Sequence, residues 1–401
     1  MLQHFTGKEY LMIDIANNFG LDKDNWDDRL GWFKENEDKL DSLIKQADEP
    51  ALFFAGLQAW KKAQRGEPTG YPISLDATSS GIQILAALTG DRKAAQLCNV
   101  VDTGDREDAY TGIYEHMVNS IGDEAKIDRK ETKKAIMTSF YSSTAVPKEV
   151  FGEGKLLDVF YETLKELAPG AWELNEAMLA LWDPTALSHD WILPDNFHVH
   201  VKVMTTVKEN VHFLNKPYEV SYSVNAAMEG GRSLGANMTH SVDGMIVREI
   251  TRRCMYNPMS ILRVRTILKH GQMIRNQTET SDDKLVKTLW QHYEQSGFLS
   301  ARILDHINDY NVKYIDPNVV LDLIGSLPKK PFQVIAIHDC FRCLPNYAND
   351  LRYQYNLMLS QIAKSELLSY LISQIIKRPV KIGKLDDNLW KDILETNYAL
   401  S

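Results

Sequence analysis

Tyr71-Pro-Ile-Ser-Leu-Asp76 and Phe332-Gln-Val-Ile-Ala-Ile337-His338-Asp339 are the stretches on which the fold turns. The first reads as a short strand that ends in a carboxylate and runs directly into a helix. The second reads as a buried apolar strand followed at once by His-Asp. An acidic residue at a strand end is held rigidly at the edge of a sheet, where a hard cation can reach it. An Asp in that place is more often a turn former, so neither stretch decides anything alone. Together they do. A carboxylate buried at the end of a core strand is costly unless it is paired or binds metal. Asp339 therefore needs a partner, and Asp76 with a shared pair of Mg2+ ions supplies one. The two lie far apart in the chain, so only a fold that returns on itself can join them.

Working outward, residues 8–65 read as mostly helical, with the acidic run Asp22–Asp28 as a turn and helix start. That run lacks the glycine and closing glutamate of a calcium loop. A helix is expected over 80–89, with Ser80 as N-cap, Gln83 as its capping-box partner and Gly90 as the stop. Another is expected over 128–142, with Asp128 and Glu131 as its box. Residues 155–182 are helical in pattern. From Trp191 to Val224 the apolar period switches to two, with a hairpin around Asn215-Lys216-Pro217. Asp316-Pro317 to Gly325 has the cap, first-turn proline and stop of a helix, and the tail from 349 is helical.

The composition is that of a globular protein, with 44% apolar and 25% charged residues among 401. No apolar run approaches the ~20 residues of a membrane helix, and the start shows no secretory signal. A cytoplasmic protein without membrane contact is the expectation. The four cysteines, Cys98, Cys254, Cys340 and Cys343, lack the further ligands a zinc site needs. Gly152-Glu-Gly-Lys155 has the wrong spacing for a phosphate loop. His198 and His200 share one face of a strand and read as solvent or nucleic-acid contacts rather than a metal pair. The net charge of −9 opposes binding to nucleic acid. Two basic runs, Arg129 to Lys134 and Arg248 to Arg275, oppose it locally.

In the helix from 129, Arg129, Lys133, Met137 and Tyr141 fall on one ridge at four-residue spacing. Lys133 and Tyr141 are about 12 Å apart along the axis. That separation suits a nucleoside triphosphate, with its phosphates at the cations and its sugar at the phenol, although the ridge alone reads equally as a salt-laced surface helix.

An Asp, then a helix with Arg/Lys and Tyr, then His-Asp is the order of motifs A, B and C in palm-type polymerases. Pro72-Ile-Ser-Leu-Asp76-Ala-Thr-Ser-Ser-Gly81-Ile82-Gln83 resembles motif A of the bacteriophage and mitochondrial single-subunit RNA polymerases. Arg129-Lys-Glu-Thr-Lys133-Lys-Ala-Ile-Met137-Thr138-Ser-Phe-Tyr141 resembles motif B, and Ile337-His338-Asp339-Cys340-Phe341 resembles motif C. Trp191-Ile-Leu-Pro194-Asp195, Asn237-Met-Thr-His240-Ser241-Val-Asp243-Gly244 and the ending Asp392 to Ser401 are further matches. No counterpart is evident for 245–325.

The resemblance implies DNA-directed synthesis of RNA from ribonucleoside triphosphates. It implies two Mg2+ ions held by Asp76, Asp339 and the Ala77 carbonyl. Arg129 and Lys133 would neutralise phosphates. Tyr141 and His240 would sense the ribose 2′-hydroxyl, with Lys134 and Met137 lining the same pocket. His338 would support its turn. The fold implied is α+β, a palm with a small antiparallel sheet and mostly helical fingers. Residues 1–92 would form the first part of the palm and 93–240 the fingers, with 191–224 as a promoter-reading hairpin. Residues 241–401 would complete the palm, carrying a basic helical insertion at about 245–325. A family A DNA polymerase is the nearest rival, but its motif A carries a Glu that blocks the 2′-hydroxyl, and residues 79–83 hold no carboxylate. A scaffold subunit that only binds nucleic acid is the other rival. Ser142-Ser143 stands where the family has Gly-Ser. The family's Asp-x-x-Gly-Arg motif, thumb and N-terminal domain find no match. The expectation is a split enzyme, resembling the larger subunit of two-chain phage polymerases, with a second polypeptide supplying those parts; a fragment of a larger protein is the alternative. The acidic balance also hints at an accessory factor for promoter opening.

Overall fold

The computed structural model describes residues 1–122, 127–271 and 278–401. Helices dominate, and among the described residues seven strands form three antiparallel sheets. The strands are β1 (Ile73–Asp76), β2 (Ser188–Ile192), β3 (His198–Lys202), β4 (Met204–Phe213), β5 (Lys216–Asn225), β6 (Ile335–Ile337) and β7 (Cys340–Cys343). The expected α+β class is met. So is the return of the chain on itself, because the three-stranded sheet has the order β1-β7-β6.

That sheet packs on a large apolar core. Ile73 and Leu75 of β1 and Phe341 and Cys343 of β7 point into it. The helix Gly7–Ala16 begins with a full capping box between Thr6 and Glu9 and buries Tyr10, Leu11, Ile13 and Ile15. Its Asp14 faces β1. The carboxylate accepts hydrogen bonds from the Ser74 amide at 2.8 Å, the Tyr71 hydroxyl at 2.8 Å and Asn18 Nδ2 at 3.1 Å. The long helix Ala348–Lys364 closes the other side, where Tyr355 and Arg352 are buried. Arg352 donates to the carbonyls of Gln3 and Asn397 and so joins both ends of the described chain to this helix.

Several expectations are corrected. The strand before His338 is neither long nor buried. Only Ile335–Ile337 pair, on the sheet's edge, and Ile335 and Ile337 are 47% and 56% exposed. Phe332 and Val334 carry the burial instead. Asp339 is accordingly half-exposed at a hairpin tip, with His338 at φ 56° making the turn. The N-cap of the Ser80–Thr89 helix is Ser79, and it makes no side-chain cap. Gln83 is drawn inward instead. Its Nε2 donates to Thr78, to the Cys98 carbonyl and to the Ala399 carbonyl, and its Oε1 accepts from Tyr355. Gly90 does end that helix in the left-handed region.

The β4–β5 hairpin turns at Leu214-Asn215, both at positive φ, so Lys216 and Pro217 belong to the strand. Residues 255–327 build a second core around Val264, Val286, Leu289, Ile303 and Val320. Within this basic, mostly helical region, Arg275 lies outside the described residues. Asp195 ties the region to the rest. It is fully buried and takes Arg248 Nε at 2.6 Å and Arg252 Nη1 at 2.9 Å. The Asp195 carbonyl takes Arg302. No described helix is long and apolar enough to cross a membrane.

Candidate active site

Antiparallel register brings the two predicted carboxylates together. Asp76, the last residue of β1, pairs with Cys340, the first of β7, and Asp339 precedes that pair. The Ala77 amide donates to the Asp339 carbonyl at 3.0 Å. On the other edge of β1 the segment Ala399–Ser401 adds backbone bonds. Asp76 and Ser401 exchange amide-to-carbonyl bonds, and the Thr78 amide reaches Ala399. Asp76 is thus clamped from both sides.

The carboxylates feel one another. Desolvation and then the negative charge of Asp339 push the Asp76 carboxyl up, against a hydrogen bond from the Cys340 thiol. Burial pushes that thiol up to about 12, so it stays protonated and donates. Asp243, on the Ser233–Cys254 helix, is pushed up to about 6 by burial and then by Asp339. Asp243 is thus within electrostatic reach of Asp339. Among the described residues no cluster of three or more His, Cys, Asp or Glu has the geometry to enclose a metal. Two carboxylates with the remaining positions left to water and phosphate oxygens is a donor set that suits Mg2+.

The helix Arg129–Ser139 starts at Asp128, whose side chain accepts from the Glu131 amide. Its ridge meets the carboxylates only in part. Lys133 lines a cavity of about 600 Å3 together with Asp76, Arg106, Asp108 and Tyr110. Its ammonium stands 4.9 Å above the Tyr110 ring. A second cavity of about 310 Å3 is lined by Lys133, Met137, Tyr141, Gly81 and Asp339. Arg129 instead pairs with Asp108 at 2.9 Å, and Lys134 is exposed; neither lines these cavities.

Tyr141 and His240 do meet, with ring centroids 4.7 Å apart. Burial and nearby Asp243 push the Tyr141 phenol up to about 12, so it is neutral at ordinary pH. Gly81 makes room for it, since a Cβ there would stand 2.3 Å from the Tyr141 hydroxyl. Ser142 adopts φ 67°, a region that favours glycine. Its hydroxyl donates to Asn175 Oδ1 at 2.7 Å, while Asn175 Nδ2 donates to the Ser139 carbonyl. Those bonds offset the strain at the Ser142-Ser143 departure. Tyr110, Asp108 and Arg106 were not read as site residues. Asp108 had a legible signal, as the N-cap before Ala109–Ile121; the others had none.

Strand-end carboxylates beside a lysine and a phenol–imidazole pair have the chemistry to receive hard cations and a polyanionic substrate. Residues 4–168 match the family model described as DNA-dependent RNA polymerase. A probable DNA-directed RNA polymerase of Neurospora crassa is 30% identical over 161 residues, 34% of this chain and 18% of that protein. The mitochondrial DNA-directed RNA polymerase of the same species is 30% identical over 169 residues, covering 35% of this chain and 12% of that protein. The DNA-directed RNA polymerase of Pseudomonas phage phiKMV is 28% identical over 174 residues, covering 34% and 21%. The chain is thus similar to phage-type and mitochondrial RNA polymerases, the family match covering the span that contains Asp76, Arg129, Lys133 and Tyr141, and it spans about a fifth or less of those relatives. His240 and Asp339 lie beyond the family match, and the tertiary structure brings them to the same place.

Proposed function

We propose that this chain is the catalytic part of a DNA-directed RNA polymerase, extending RNA from ribonucleoside triphosphates by two-metal nucleotidyl transfer. The observation that carries the reading is the meeting of Asp76 and Asp339 on neighbouring strands beside Lys133 and the Tyr141–His240 pair.

Asp76, Asp339 and the Ala77 carbonyl would hold two Mg2+ ions. When bound, these ions would make the RNA 3′-hydroxyl a better nucleophile and neutralise charge on the leaving pyrophosphate. The chain's own residues do the rest. Lys133 faces the phosphates and screens their charge as the bond to the α-phosphate forms. Arg129 would join it once the substrate competes for its bond to Asp108. Lys134 would approach the same anion from the exposed side. Tyr141, protonated, offers a hydroxyl near the sugar, and His240 packs against it. A polar pair that expects a 2′-hydroxyl rejects substrates lacking one strongly, because it is otherwise left unsatisfied. Met137 closes the apolar side of that pocket.

In this reading β1, β6 and β7 belong to the palm, 93–240 to the fingers, and the β4–β5 hairpin reaches toward promoter DNA. A second polypeptide would supply the thumb and the Asp-x-x-Gly-Arg motif. An accessory factor would assist opening of the promoter.

The test is RNA-primer extension on a DNA template with Mg2+, by the chain alone and with the product of its neighbouring gene. Ribo- and deoxyribonucleotides are supplied separately. Ribonucleotide extension that vanishes in Asp339→Asn supports the reading, and dependence on the second product supports the split. Preference for deoxyribonucleotides points to a DNA polymerase. Extension by Asp339→Asn at the wild-type rate, or none in any mixture, sinks the catalytic role.

A further inference from the structure

Arg106 lies in the loop between the helices Arg92–Leu97 and Ala109–Ile121, and its position is fixed from the backbone outward. Its amide donates to Asn25 Oδ1 at 2.7 Å, and Asn25 Nδ2 donates in turn to Asp105. The next amide, that of Glu107, donates to Asn99 Oδ1 at 2.7 Å, and Asn99 Nδ2 returns to the Glu107 carbonyl at 2.8 Å. Two asparagines thus clamp the main chain on both sides of one arginine. A solvated surface arginine needs no such support.

The side chain enters the cavity that Asp76 and Lys133 line. Its charge is felt at Asp76, where it favours the ionised carboxylate. Its polar contact among the described residues is Nε to Ser401 Oγ at 3.3 Å, and none of them forms an ion pair with it. Arg129, by contrast, is already held by Asp108. A second guanidinium in electrostatic reach is that of Arg29, which is fully buried, donates to the carbonyls of Asp22 and Asp24, and has Nη1 without a hydrogen-bond partner among the described residues. Among the described residues no carboxylate forms an ion pair with either guanidinium, although Asp22, Asp108 and Asp24 lie near enough for their charge to favour the Arg106 cation. Burial alone works against the unpaired cation, and an oxyanion bound to its N–H groups would offset that cost. A planar guanidinium with free N–H groups matches a phosphate oxygen pair better than an ammonium does.

We propose that Arg106 is a substrate-binding residue that holds the pyrophosphate moiety of the incoming nucleotide, on the same cavity as Lys133 and Asp76. This rests on the polymerase reading above and deepens it. Lys133 and Arg106 then share the phosphates between two separate elements, the Arg129–Ser139 helix and the clamped loop. That division places the anion by direction as well as by charge. It also gives the loop's two asparagines a purpose, which is to keep the guanidinium from swinging out with the chain. The RNA phosphodiester is another source of the same oxyanion chemistry, and the experiment separates the two.

Arg106→Gln and Arg106→Lys keep the main-chain bonds to Asn25 and Asn99. Both are purified with whatever second polypeptide wild-type activity requires, and their melting is checked first. Two measurements follow. One is the thermal shift caused by inorganic pyrophosphate with Mg2+, which needs no turnover. The other is KM for ribonucleotides in extension and for pyrophosphate in the reverse reaction, beside the affinity for primer–template. The expected result for Arg106→Gln is loss of the pyrophosphate-induced shift and a rise of about ten- to a hundred-fold in both KM values, from one lost charge-assisted contact. Primer–template affinity should stay within about twofold. Arg106→Lys should fall between the two, because it keeps the charge and loses the fork. Unchanged KM values and an intact pyrophosphate response overturn the proposal. So does loss of primer affinity with the pyrophosphate response retained, which assigns Arg106 to the RNA backbone. A wild-type protein that responds to pyrophosphate through Arg106 but extends nothing would remove the polymerase reading and leave the phosphate site standing.

Discussion

Gly81→Ala is the most incisive single perturbation, because it sets stability against function. Gly81 is the second residue of the Ser80–Thr89 helix, where alanine is the better helix former by up to about 1 kcal/mol. Its added Cβ would stand 2.3 Å from the Tyr141 hydroxyl and 2.9 Å from the ring carbon bearing it. The clash falls on the far end of a side chain that borders a cavity, so the ring can yield. It must retreat by about 1 Å to reach ordinary contact, and a shift of that size at a substrate-positioning group costs on the order of a hundred-fold in rate. The helix gain and the residual overpacking oppose each other, so the melting free energy should move by less than about 1 kcal/mol. The assay is steady-state extension with ribo- and deoxyribonucleotides, beside thermal melting. The expected outcome is near-normal melting, a large fall in kcat/KM and weakened preference for ribose as Tyr141 parts from His240. Adding Tyr141→Phe removes the closest atom, so the double variant should be less impaired than the two single effects combined. Normal kinetics in Gly81→Ala would refute the placement of Tyr141 at the sugar. A melting collapse in proportion to the lost activity would show instead that Tyr141 is a rigid packing element.

Two further outcomes follow from buried charges. Asp14 is 2% exposed, and burial pushes its carboxyl from 3.8 up to about 6 despite three donors. The folded state therefore binds the proton more tightly than the unfolded chain, and stability falls as pH rises from about 4 through 6. The shift of roughly two units corresponds to about 3 kcal/mol lost by pH 7. Asp14→Asn should flatten that slope in urea melts between pH 4 and 7, and an unaltered slope would reject the assignment. Asp195→Asn keeps the shape but leaves Arg248 and Arg252 facing a neutral group. A loss of about 3 kcal/mol or more is expected. Because Glu249 still binds Arg252, a loss under about 1 kcal/mol would show that the glutamate alone compensates both cations.

Much of the site was legible because chemistry and local periodicity coincide there. Asp76 ends a strand, and four-residue spacing sets Lys133 and Met137 on one helix face, both from backbone geometry alone; the helix expected to run to 142 ends at Ser139, so Tyr141 lies in the turn that follows it. The α+β class and the Leu-Ala-rich helices were readable for the same reason. Errors arose where tertiary contacts overrode local preference. Gln83 fits a capping box, yet three carbonyl and hydroxyl acceptors and the Tyr355 hydroxyl draw it into the core. The apolar run before His338 looked buried because hydrophobicity does not say which face a neighbour covers; β6 proved to be an edge strand with outward isoleucines.

The sequence by itself determined which residues could carry the chemistry and the order in which they occur. Only the tertiary structure decided which of them meet. The β1–β7 register sets Asp76 beside Asp339, the Ser233–Cys254 helix delivers His240 to Tyr141 and Asp243 to the carboxylates, and Asp108 withdraws Arg129 from the cavity while the asparagine-clamped loop brings Arg106 in. The physical reason is one of range. Propensity and periodicity act over a few residues, whereas these pairings depend on packing between segments far apart in the chain.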